Sequence, residues 1–207
     1  MLIFSGVSLA LVAGLLFGGR PGRLGSVRVA WWWVGLVVFA AQVAAVYGPG
    51  RADDGLAIPL IVGSHVALVV VTLLNGQLRG ARVFVVGLVM NLACMLSNGG
   101  LMPVAPETLA MAGRVEAWKV GAGTAGTRVQ GSKDVILSTD QTRLALLSDR
   151  YWTGLPGRLG VLFSLGDVLL VAGVSTFVFA TMTKDLSHAR TGEPSPARLA
   201  VVPAVWE

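Results

Sequence analysis

The sequence predicts an all-α protein: an integral membrane bundle of five transmembrane helices with a partly helical exterior cap segment. Of its 207 residues, 54% are hydrophobic and only 13% are charged, whereas water-soluble domains carry about a quarter of their residues as charges. The five longest apolar stretches together contain a single charged side chain, Asp167. An α-helix needs roughly 20 apolar residues to cross a hydrocarbon core about 30 Å thick. Composition and charge placement therefore argue against both a soluble globule and a disordered chain.

The predicted membrane domain covers residues 1–183 and is interrupted by the cap. We place the spans at about 1–19, 29–48, 56–75, 83–104 and 160–182, and the exterior cap at 105–158. The cap has no uncharged run longer than eight residues, so nothing in it is long enough to cross a membrane. Polar residues and prolines occupy 184–207, which predicts a disordered cytoplasmic tail.

The first two spans carry small residues at helical spacing. They recur every four positions at Gly6, Ala10, Gly14 and Gly18 in the first span, and at Ala40, Ala44 and Gly48 in the second. Residues four apart lie on one face of a helix, so each stripe predicts a face that packs closely against another helix. Packing within one bundle is favoured over homodimerisation, because such stripes are common in membrane helices.

The fourth span should end early. It finishes in Asn98-Gly99-Gly100-Leu101-Met102-Pro103-Val104, and two glycines followed by a proline do not prolong a helix cheaply. We expect the helix to break near Asn98 and the chain to continue as irregular backbone to Pro106. One interpretation is an ordinary glycine C-cap. The other is that freed carbonyls at this helix end, with Asp167 near, hold a cation or a donor group.

Within the cap, one local pattern predicts a helix. Ser138 followed three residues later by Gln141 reads as a capping box, and Leu144 and Leu147 share a face of the helix that would begin there. We expect this helix to run through Ser148 and to lie on the outer surface over the bundle.

Basic residues of the short connections predict the orientation. Arg20, Arg23 and Arg28 lie in the first connection, Arg79 and Arg82 in the third, and Lys184, Arg190 and Arg198 in the tail. Cytoplasmic loops hold an excess of Lys and Arg, so these segments should face the cytoplasm and the N-terminus should lie outside. An alternative is that the first span is a cleaved signal peptide, but no basic residue precedes it and no A-x-A site comes after it.

Polar side chains recur at one depth in four spans. Counting inward from the outer ends places Gln42, His65, Asn98 and Asp167 roughly 9 to 12 Å below the surface, at 1.5 Å per residue. Ser164 lies close to them in sequence. A charged aspartate in a bilayer is costly, so Asp167 should face the interior with a partner, and His65 is the predicted partner. The cluster either holds the helices together or forms a proton path or a ligand site.

Several other chemistries are excluded. Cys94 is the only cysteine, and the two histidines, His65 and His188, are too few and too far apart for a haem or a zinc site. The chain has no phosphate-binding G-x-x-x-x-G-K-[ST] motif. We therefore expect no cofactor and no metal. The net charge of +5 is explained by the cytoplasmic connections and the tail, so no nucleic acid is expected as a partner.

Two motifs carry a family resemblance. Asn98-Gly99-Gly100-Leu101-Met102-Pro103-Val104, and Leu147-Ser148-Asp149 followed by Phe163-Ser164-Leu165-Gly166-Asp167-Val168, resemble the bacterial membrane-protein family called domain of unknown function 5317. The resemblance runs across nearly all five spans and implies a multi-pass protein of the bacterial cytoplasmic (inner) membrane. That family has no assigned activity. The positions that the resemblance singles out are Asn98, Gly99, Gly100, Met102, Pro103, Asp149, Ser164, Gly166 and Asp167.

Three functions stay open at this point. The favoured hypothesis is a non-enzymatic accessory or assembly subunit, with membrane lipids and other membrane proteins or a second copy of the chain as partners. The alternative is a carrier of a proton or small molecule that uses His65, Asn98 and Asp167. A third is an enzyme acting on a lipid or isoprenoid at the outer face, with Asp167 as general base. The candidate site residues for all three are Gln42, His65, Asn98, Gly99, Gly100, Asp149, Ser164 and Asp167.

Overall fold

A computed structural model describes residues 2–47, 54–112, 126–129, 132–155 and 160–191. The long helices are α1 Leu2–Leu16, α2 Trp32–Tyr47, α3 Asp54–Leu74, α4 Ala81–Ser97 and α6 Leu165–Thr191. The smaller elements are helix α5 Pro106–Met111, the 3₁₀ turns Pro21–Ser26 and Ala145–Leu147, and strands β1 Met102–Val104, β2 Asp134–Ile136, β3 Tyr151–Trp152 and β4 Leu162–Phe163. The chain is mostly helical, as predicted, but the short strands depart from an all-α fold.

Two helices among the described residues are long and apolar enough to cross a membrane. They are Gly55–Leu74 within α3 and Leu165–Lys184 within α6. The other long helices α1, α2 and α4 are apolar but have 15, 16 and 17 residues. At 1.5 Å per residue, 17 residues reach only about 25 Å, slightly less than the hydrocarbon core. Five membrane spans therefore remain a prediction.

The long helices are neighbours in the order α1, α6, α4, α3, α2. The first and last helices of this row, α1 and α2, follow each other in sequence, and the first connection joins them. The C-terminal helix α6 is inserted between α1 and α4. Pairing of the helices therefore depends on contacts between residues far apart in the chain.

The basic connections meet at one end of the row, which we call the basic end. The Arg20 N–H donates to Met182 O of α6 at 3.0 Å. The Asn75 side chain of the third connection accepts the Ala30 N–H at 2.8 Å and donates to Ala30 O at 3.0 Å. The opposite end, the cap end, carries the cap, and Arg128 Nη2 donates there to Ala45 O of α2 at 3.0 Å.

Helices α4 and α6 approach closely because glycines face each other along their crossing. A Cβ built on Gly87 would lie 2.6 Å from Gly166 O, and a Cβ on Gly80 would collide with Gly173 O. A Cβ on Gly173 would lie 2.7 Å from the backbone N of Phe84. These contacts repeat after seven residues on each helix, that is, after two helical turns. Backbone atoms do not move aside easily, so each of these positions requires glycine.

The small-residue stripe predicted for the first span is a packing face, and the one predicted for the second is not. Gly6, Ala10 and Gly14 are the buried residues of α1. A Cβ on Gly14 would lie 2.7 Å from the Sδ of Met182 on α6. Gly18 lies beyond the end of α1 with a φ of 77°.

In α2, by contrast, Ala40 and Ala44 are exposed, whereas Ala45 is buried. The inward face of α2 includes Val38, Gln42 and Ala45 instead. The predicted small face therefore points away from the rest of the described chain. Gly48, the third member of the predicted stripe, lies outside the described residues.

The cap packs into the cap end of the helices. Strands β1 and β2 pair in parallel, with Met102 opposite Asp134 and Val104 opposite Ile136. One buried cluster joins both strands to three helices, and its members include Ala45, Ala57, Cys94, Met102 and Val135. Strands β3 and β4 pair antiparallel, with Tyr151 opposite Phe163. Within the backbone predicted to be irregular after Asn98, Met102–Val104 is thus a buried strand, because β2 and the residue before it supply hydrogen-bond partners.

The helix predicted from Ser138 to Ser148 is wrong. The N–H groups of Gln141 and Thr142 both donate to Ser138 O at 3.1 Å, which closes a turn. Leu144 then has a φ of 55°, in the left-handed region, and only the 3₁₀ turn Ala145–Leu147 comes after it. A left-handed residue interrupts an α-helix, so the local capping pattern was not sufficient.

Other predictions concern residues at the borders of what is described. Helix α6 extends to Thr191, so the first part of the predicted disordered tail is helical. Residues 192–207 lie outside the described residues, as do 113–125 of the cap and the second connection at 48–53.

Candidate functional site

Asp167 belongs to a capping box at the start of α6. Its Oδ2 accepts the Ser164 N–H at 3.1 Å, and its own N–H donates to Ser164 Oγ at 3.1 Å. This reciprocal pair is the S-x-x-D form of the capping box, in which two backbone donors at a helix start find acceptors. A carboxylate is also favoured there by the positive end of the helix dipole. The local role of Asp167 is therefore to begin α6.

A third residue, Asn91 of α4, connects this capping box to the neighbouring helix. Asn91 Nδ2 donates to Asp167 Oδ1 at 2.9 Å, and Asn91 Oδ1 accepts from Ser164 Oγ at 2.9 Å. Asn91 and Ser164 are buried, so both amide atoms find partners away from water. A Cβ on Gly166 would collide with Asn91 Oδ1, and glycine there allows the network to form.

The partner predicted for Asp167 was therefore wrong, although the need for a partner is confirmed. His65 Nδ1 contacts Ile61 O of its own helix at 2.8 Å. The error came from counting depth. Helix α4 ends at Ser97 and not at Val104, so the residue six positions inward is Asn91 and not Asn98.

Asn98 instead attaches the cap to the end of α4. Its Nδ2 donates to Cys94 O at 2.7 Å and to Arg143 O at 2.8 Å, and its Oδ1 accepts the Arg143 N–H at 2.9 Å. Gly99 and Gly100 have φ values of 82° and 93°, and the Gly100 N–H donates to Met95 O at 2.7 Å. This is a glycine helix terminus, the simpler of the two predicted interpretations. Gly100 is also required because a Cβ there would collide with Ile58.

Gln42 lies in a separate contact between α2 and α3. Its Nε2 donates to Ser64 Oγ at 2.8 Å, and that hydroxyl donates to Ile61 O at 2.7 Å. The four polar residues predicted at one depth are thus divided among separate hydrogen-bonded groups. Only Ser164 and Asp167, of the eight candidates, bond directly to each other.

Among the described residues, a concentration of buried charge lies in the cap and includes a residue that the sequence did not single out, Lys133. Its Nζ lies 2.6 Å from Asp149 Oδ2 and 3.2 Å from Asp134 Oδ1. The side chains of Asp149 and Asp134 are 5% and 9% exposed, whereas Lys133 keeps 33% of its surface exposed. The Asp149 N–H donates to Pro103 O at 3.1 Å, which ties the ion pair to β1.

Burial and the neighbouring charges of opposite sign shift the pKa values of Asp149 and Lys133 in opposite directions. Burial raises the pKa of Asp149 to about 7, although the Lys133 ammonium opposes the shift. Burial also disfavours the charge on Lys133, but the carboxylates of Asp134 and Asp149 outweigh it and raise the pKa of that lysine. Two buried polar atoms here lack a partner in the described structure, Asp149 Oδ1 and Trp152 Nε1. An acceptor and a donor without partners are unusual inside a protein.

The charge of Lys133 also acts on the helix residues. It lies near enough to Asp167 and His65 for electrostatic interaction with both. We call Lys133, Asp134, Asp149, His65 and Asp167 the junction cluster, because it spans the junction between cap and helices. No group of three or more metal-ligating side chains occurs within the described ranges.

The family of unknown function DUF5317 matches residues 26–179. The chain belongs to this family. No curated protein and no solved structure matches the chain. The match extends from the first connection to well inside α6, so it includes the glycine crossing, the junction cluster and the part of the basic end around Ala30 and Asn75.

In this DUF5317 protein, the positions that the resemblance singled out have structural contacts. Met102 and Pro103 are buried in β1, and Pro103 O accepts from the Asp149 backbone. Gly166 allows α4 and α6 to approach. Asn98, Gly99 and Gly100 terminate α4. Each motif thus lies where one element ends or two elements meet.

The sequence reasoning missed Asn91, Lys133 and Asp134. Asn91 could have been found by starting the depth count at Ser97, before the Gly-Gly pair. Lys133 and Asp134 carry no such signal, because a charged pair in a loop is usually solvated. Their burial depends on β1 and on the turn at Asp149, which are distant in sequence.

Chemically, the junction cluster can hold or exchange a proton at Asp149. Asp167 is a poor general base, because both of its oxygens already accept hydrogen bonds. The contacts of Asp167 therefore do not support the hypothesis of an enzyme that uses Asp167 as general base.

Proposed function

We propose that this DUF5317 protein is an integral membrane protein whose five long helices all cross the bilayer, and that it acts as a non-enzymatic accessory or assembly subunit. The observation that carries this proposal is the outward display of large apolar side chains on every long helix. Examples are Phe4 and Leu16 of α1, Phe39 of α2, Leu73 of α3, Leu96 of α4 and Val168 of α6.

Such a surface is unfavourable in water. Leu16 is 80% exposed and Phe4 72% exposed, and soluble monomers rarely expose contiguous apolar patches above a few hundred Å². A helix that is apolar on all sides is either buried or surrounded by lipid. Polar side chains such as Asn91 point inward and bond to each other, which is the distribution that a bilayer requires.

We place the basic end in the cytoplasm and the cap outside. The first connection, the third connection and the end of α6 lie together, and all of them carry basic residues. The positive-inside rule then orients the N-terminus outside and the C-terminus inside. The inner membrane of a bacterium is the location that this orientation and the resemblance favour.

The subunit role is supported by the way in which polar groups are used. Ser164, Asn91 and Asp167 satisfy one another, and Asn98 binds the cap backbone, so these residues hold helices together without a ligand. The outward stripe of Ala40 and Ala44 at the end of the helix row leaves a smooth surface on which a helix of another protein could pack.

Topology is tested first, with the full chain in its native membrane. Reporter fusions that are active only in the cytoplasm should work when inserted at Gln77 and fail when inserted at Asp140, and alkaline carbonate should not extract the chain. Release by carbonate, or the same reporter activity at both positions, would contradict the membrane proposal.

The subunit role is tested by purifying the tagged chain in mild detergent and identifying bound proteins by mass spectrometry. We expect a stoichiometric membrane-protein partner that is lost in Ala44→Phe. The matched control is Val43→Phe, also exposed on α2 but on a neighbouring face, which should retain the partner. A chain that purifies without any protein partner would contradict the subunit role.

A second function, a carrier for a proton or a small polar ligand, is favoured by one observation. Asp149 Oδ1 is buried without a partner beside Lys133, and the charge of Lys133 reaches His65 and Asp167. Proteoliposomes with a pH-sensitive dye inside test it. Carrier activity requires a flux that Asp149→Asn abolishes and Asp140→Asn, an exposed control in the same cap, leaves unchanged.

A further inference from the structure

A cleft opens near the basic end, away from the junction cluster. Its volume is about 210 Å³, and it is lined by α3, the start of α4 and the middle of α6, with Val29 of the first connection at its edge. Apolar side chains such as Val71, Phe84, Val174 and Phe177 form most of its wall. Whole-ligand pockets usually measure about 300–1,000 Å³, so this cleft suits part of a long, thin molecule.

The polar side chains in the cleft wall are already engaged by the protein. The Thr72 hydroxyl donates to Leu68 O at 2.7 Å. The Asn75 amide bonds to Ala30 and also donates to Val71 O at 2.8 Å. These two side chains therefore offer a ligand inside the cleft no free donor.

The mouth of the cleft, unlike its apolar wall, carries positive charge. Arg79 lines it and is exposed. Arg28 precedes Val29, and Arg82 follows Ala81, another lining residue; both arginines are exposed. None of the three forms an ion pair within the described part of the chain. Exposed guanidinium groups beside an apolar cleft match a ligand with an anionic head and an apolar chain.

We infer that the cleft binds one acyl chain of an anionic phospholipid, whose phosphate contacts Arg79 and, beside it, Arg28 or Arg82. This inference rests on the proposal that the helices cross the membrane with the basic end in the cytoplasm. Basic sites between membrane helices on the cytoplasmic side are well suited to anionic lipid head groups. A helix of another protein would fill the apolar wall equally well, but it would not need the exposed Arg79 in the lining.

The site is tested with the purified full chain in detergent by native mass spectrometry. Delipidated protein is titrated with phosphatidylglycerol or with phosphatidylcholine carrying the same acyl chains. We expect one tightly retained phosphatidylglycerol for each chain and weaker retention of phosphatidylcholine. Arg79→Gln should weaken phosphatidylglycerol retention about fivefold, since each basic residue near an anionic lipid contributes on the order of 1 kcal/mol.

Matched variants separate the site from general effects. Arg143→Gln removes an exposed arginine at the cap end and should leave retention unchanged. Val174→Phe fills the cleft and should reduce retention of both lipids, whereas Val168→Phe adds the same ring on an exposed part of α6 and should not. If Val174→Phe does not fold, Arg79→Gln with its Arg143→Gln control still decides the outcome.

Equal retention of the two lipids, or no effect of Arg79→Gln, would overturn the inference. A photoreactive amino acid at Val174 that crosslinks in membranes to a protein and not to lipid would also overturn it. These failures differ from failure of the membrane proposal. A chain that resists carbonate extraction but does not discriminate between the lipids loses the lipid site alone, and a chain released by carbonate loses both.

Discussion

The two ends of the helix row use basic side chains in opposite ways. At the cap end, Lys133 is in contact with Asp149 and Asp134, two carboxylates that are almost completely buried. At the basic end, Arg28, Arg79 and Arg82 are exposed, and Arg79 lines an apolar cleft. One end thus neutralises its charges within the fold, and the other leaves them accessible.

This difference teaches which charges matter for folding. A buried carboxylate needs its cation, because an unpaired charge inside a protein is costly. An exposed arginine contributes little to stability and is available to orient the chain or to bind an anionic lipid. We therefore expect mutations at the cap end to change stability and mutations at the basic end to change lipid binding.

The largest effect should result from Lys133→Met. It leaves Asp149 and Asp134 without their cation and should lower the free energy of unfolding by about 3 kcal/mol, the lower end of the range for broken buried pairs, because Lys133 is partly exposed. Arg79→Gln at the basic end should stay within about 0.5 kcal/mol of the parent. Thermal unfolding in detergent measures both. Equal losses in the two variants would remove the distinction between the ends.

Gly166→Ala should be nearly as damaging. A Cβ there collides with Asn91 Oδ1 and lies 2.8 Å from Gly87 O, so α4 and α6 must separate. Overpacking costs about 1–3 kcal/mol, and contact with backbone favours the upper end. Gly63→Ala is the matched control in α3, where a Cβ meets nothing within 4 Å. It should be neutral or stabilising, and a loss as large as that of Gly166→Ala would contradict this account of the crossing.

Acidification should stabilise the junction cluster. The folded pKa of Asp149 is about 7, above the value near 3.9 expected for an unfolded aspartate, so the folded state binds the proton more tightly between these values. Stability should therefore rise by roughly 2 kcal/mol from pH 8 to pH 5.5, with the gain complete only below the unfolded pKa, near pH 3. Thermal unfolding of the parent and Asp149→Asn at both pH values measures the difference. The same pH slope in both proteins would disprove the assignment to Asp149.

Ser164→Ala should have the smallest effect of the four. It removes the hydroxyl that accepts the Asp167 N–H in the capping box and that donates to Asn91 Oδ1. The expected cost is about 1 kcal/mol. Ser8→Ala, at an exposed position of α1, is the control and should change nothing measurable. Unfolding by denaturant in detergent resolves such a difference. A Ser164→Ala protein as stable as the control would mean that Asp167 starts α6 without this hydroxyl.

The two capping patterns show how much the sequence could predict. Ser138-x-x-Gln141 and Ser164-x-x-Asp167 have the same local signal, but only the second starts a helix. The difference lies in the residues downstream of each serine. The residues after Ser164 form a long apolar run that packs on α1 and α4. The segment after Ser138 contains Leu144 in the left-handed conformation, and its Arg143 N–H donates to the Asn98 side chain instead of to a helical carbonyl.

Asn98 and Lys133 show which parts of the site could and could not be predicted from the sequence. The end of α4 beside Asn98 was predicted correctly, because glycine and proline act on the backbone of their immediate neighbours. The ion pairs of Lys133 were not predicted, because they form only when β2 pairs with β1 and brings the lysine to Asp149.

By itself, the sequence determined the apolar helices, the helix break at Gly99 and Gly100, and the basic residues of the connections. These features depend on composition and on neighbours in the chain, so they can be read locally. Only the tertiary structure decided that Asp167 is paired with Asn91, that Asp149 is paired with Lys133, and that α6 lies between α1 and α4. Buried polar groups must find a partner wherever the fold provides one, and the identity of that partner is set by contacts between distant segments.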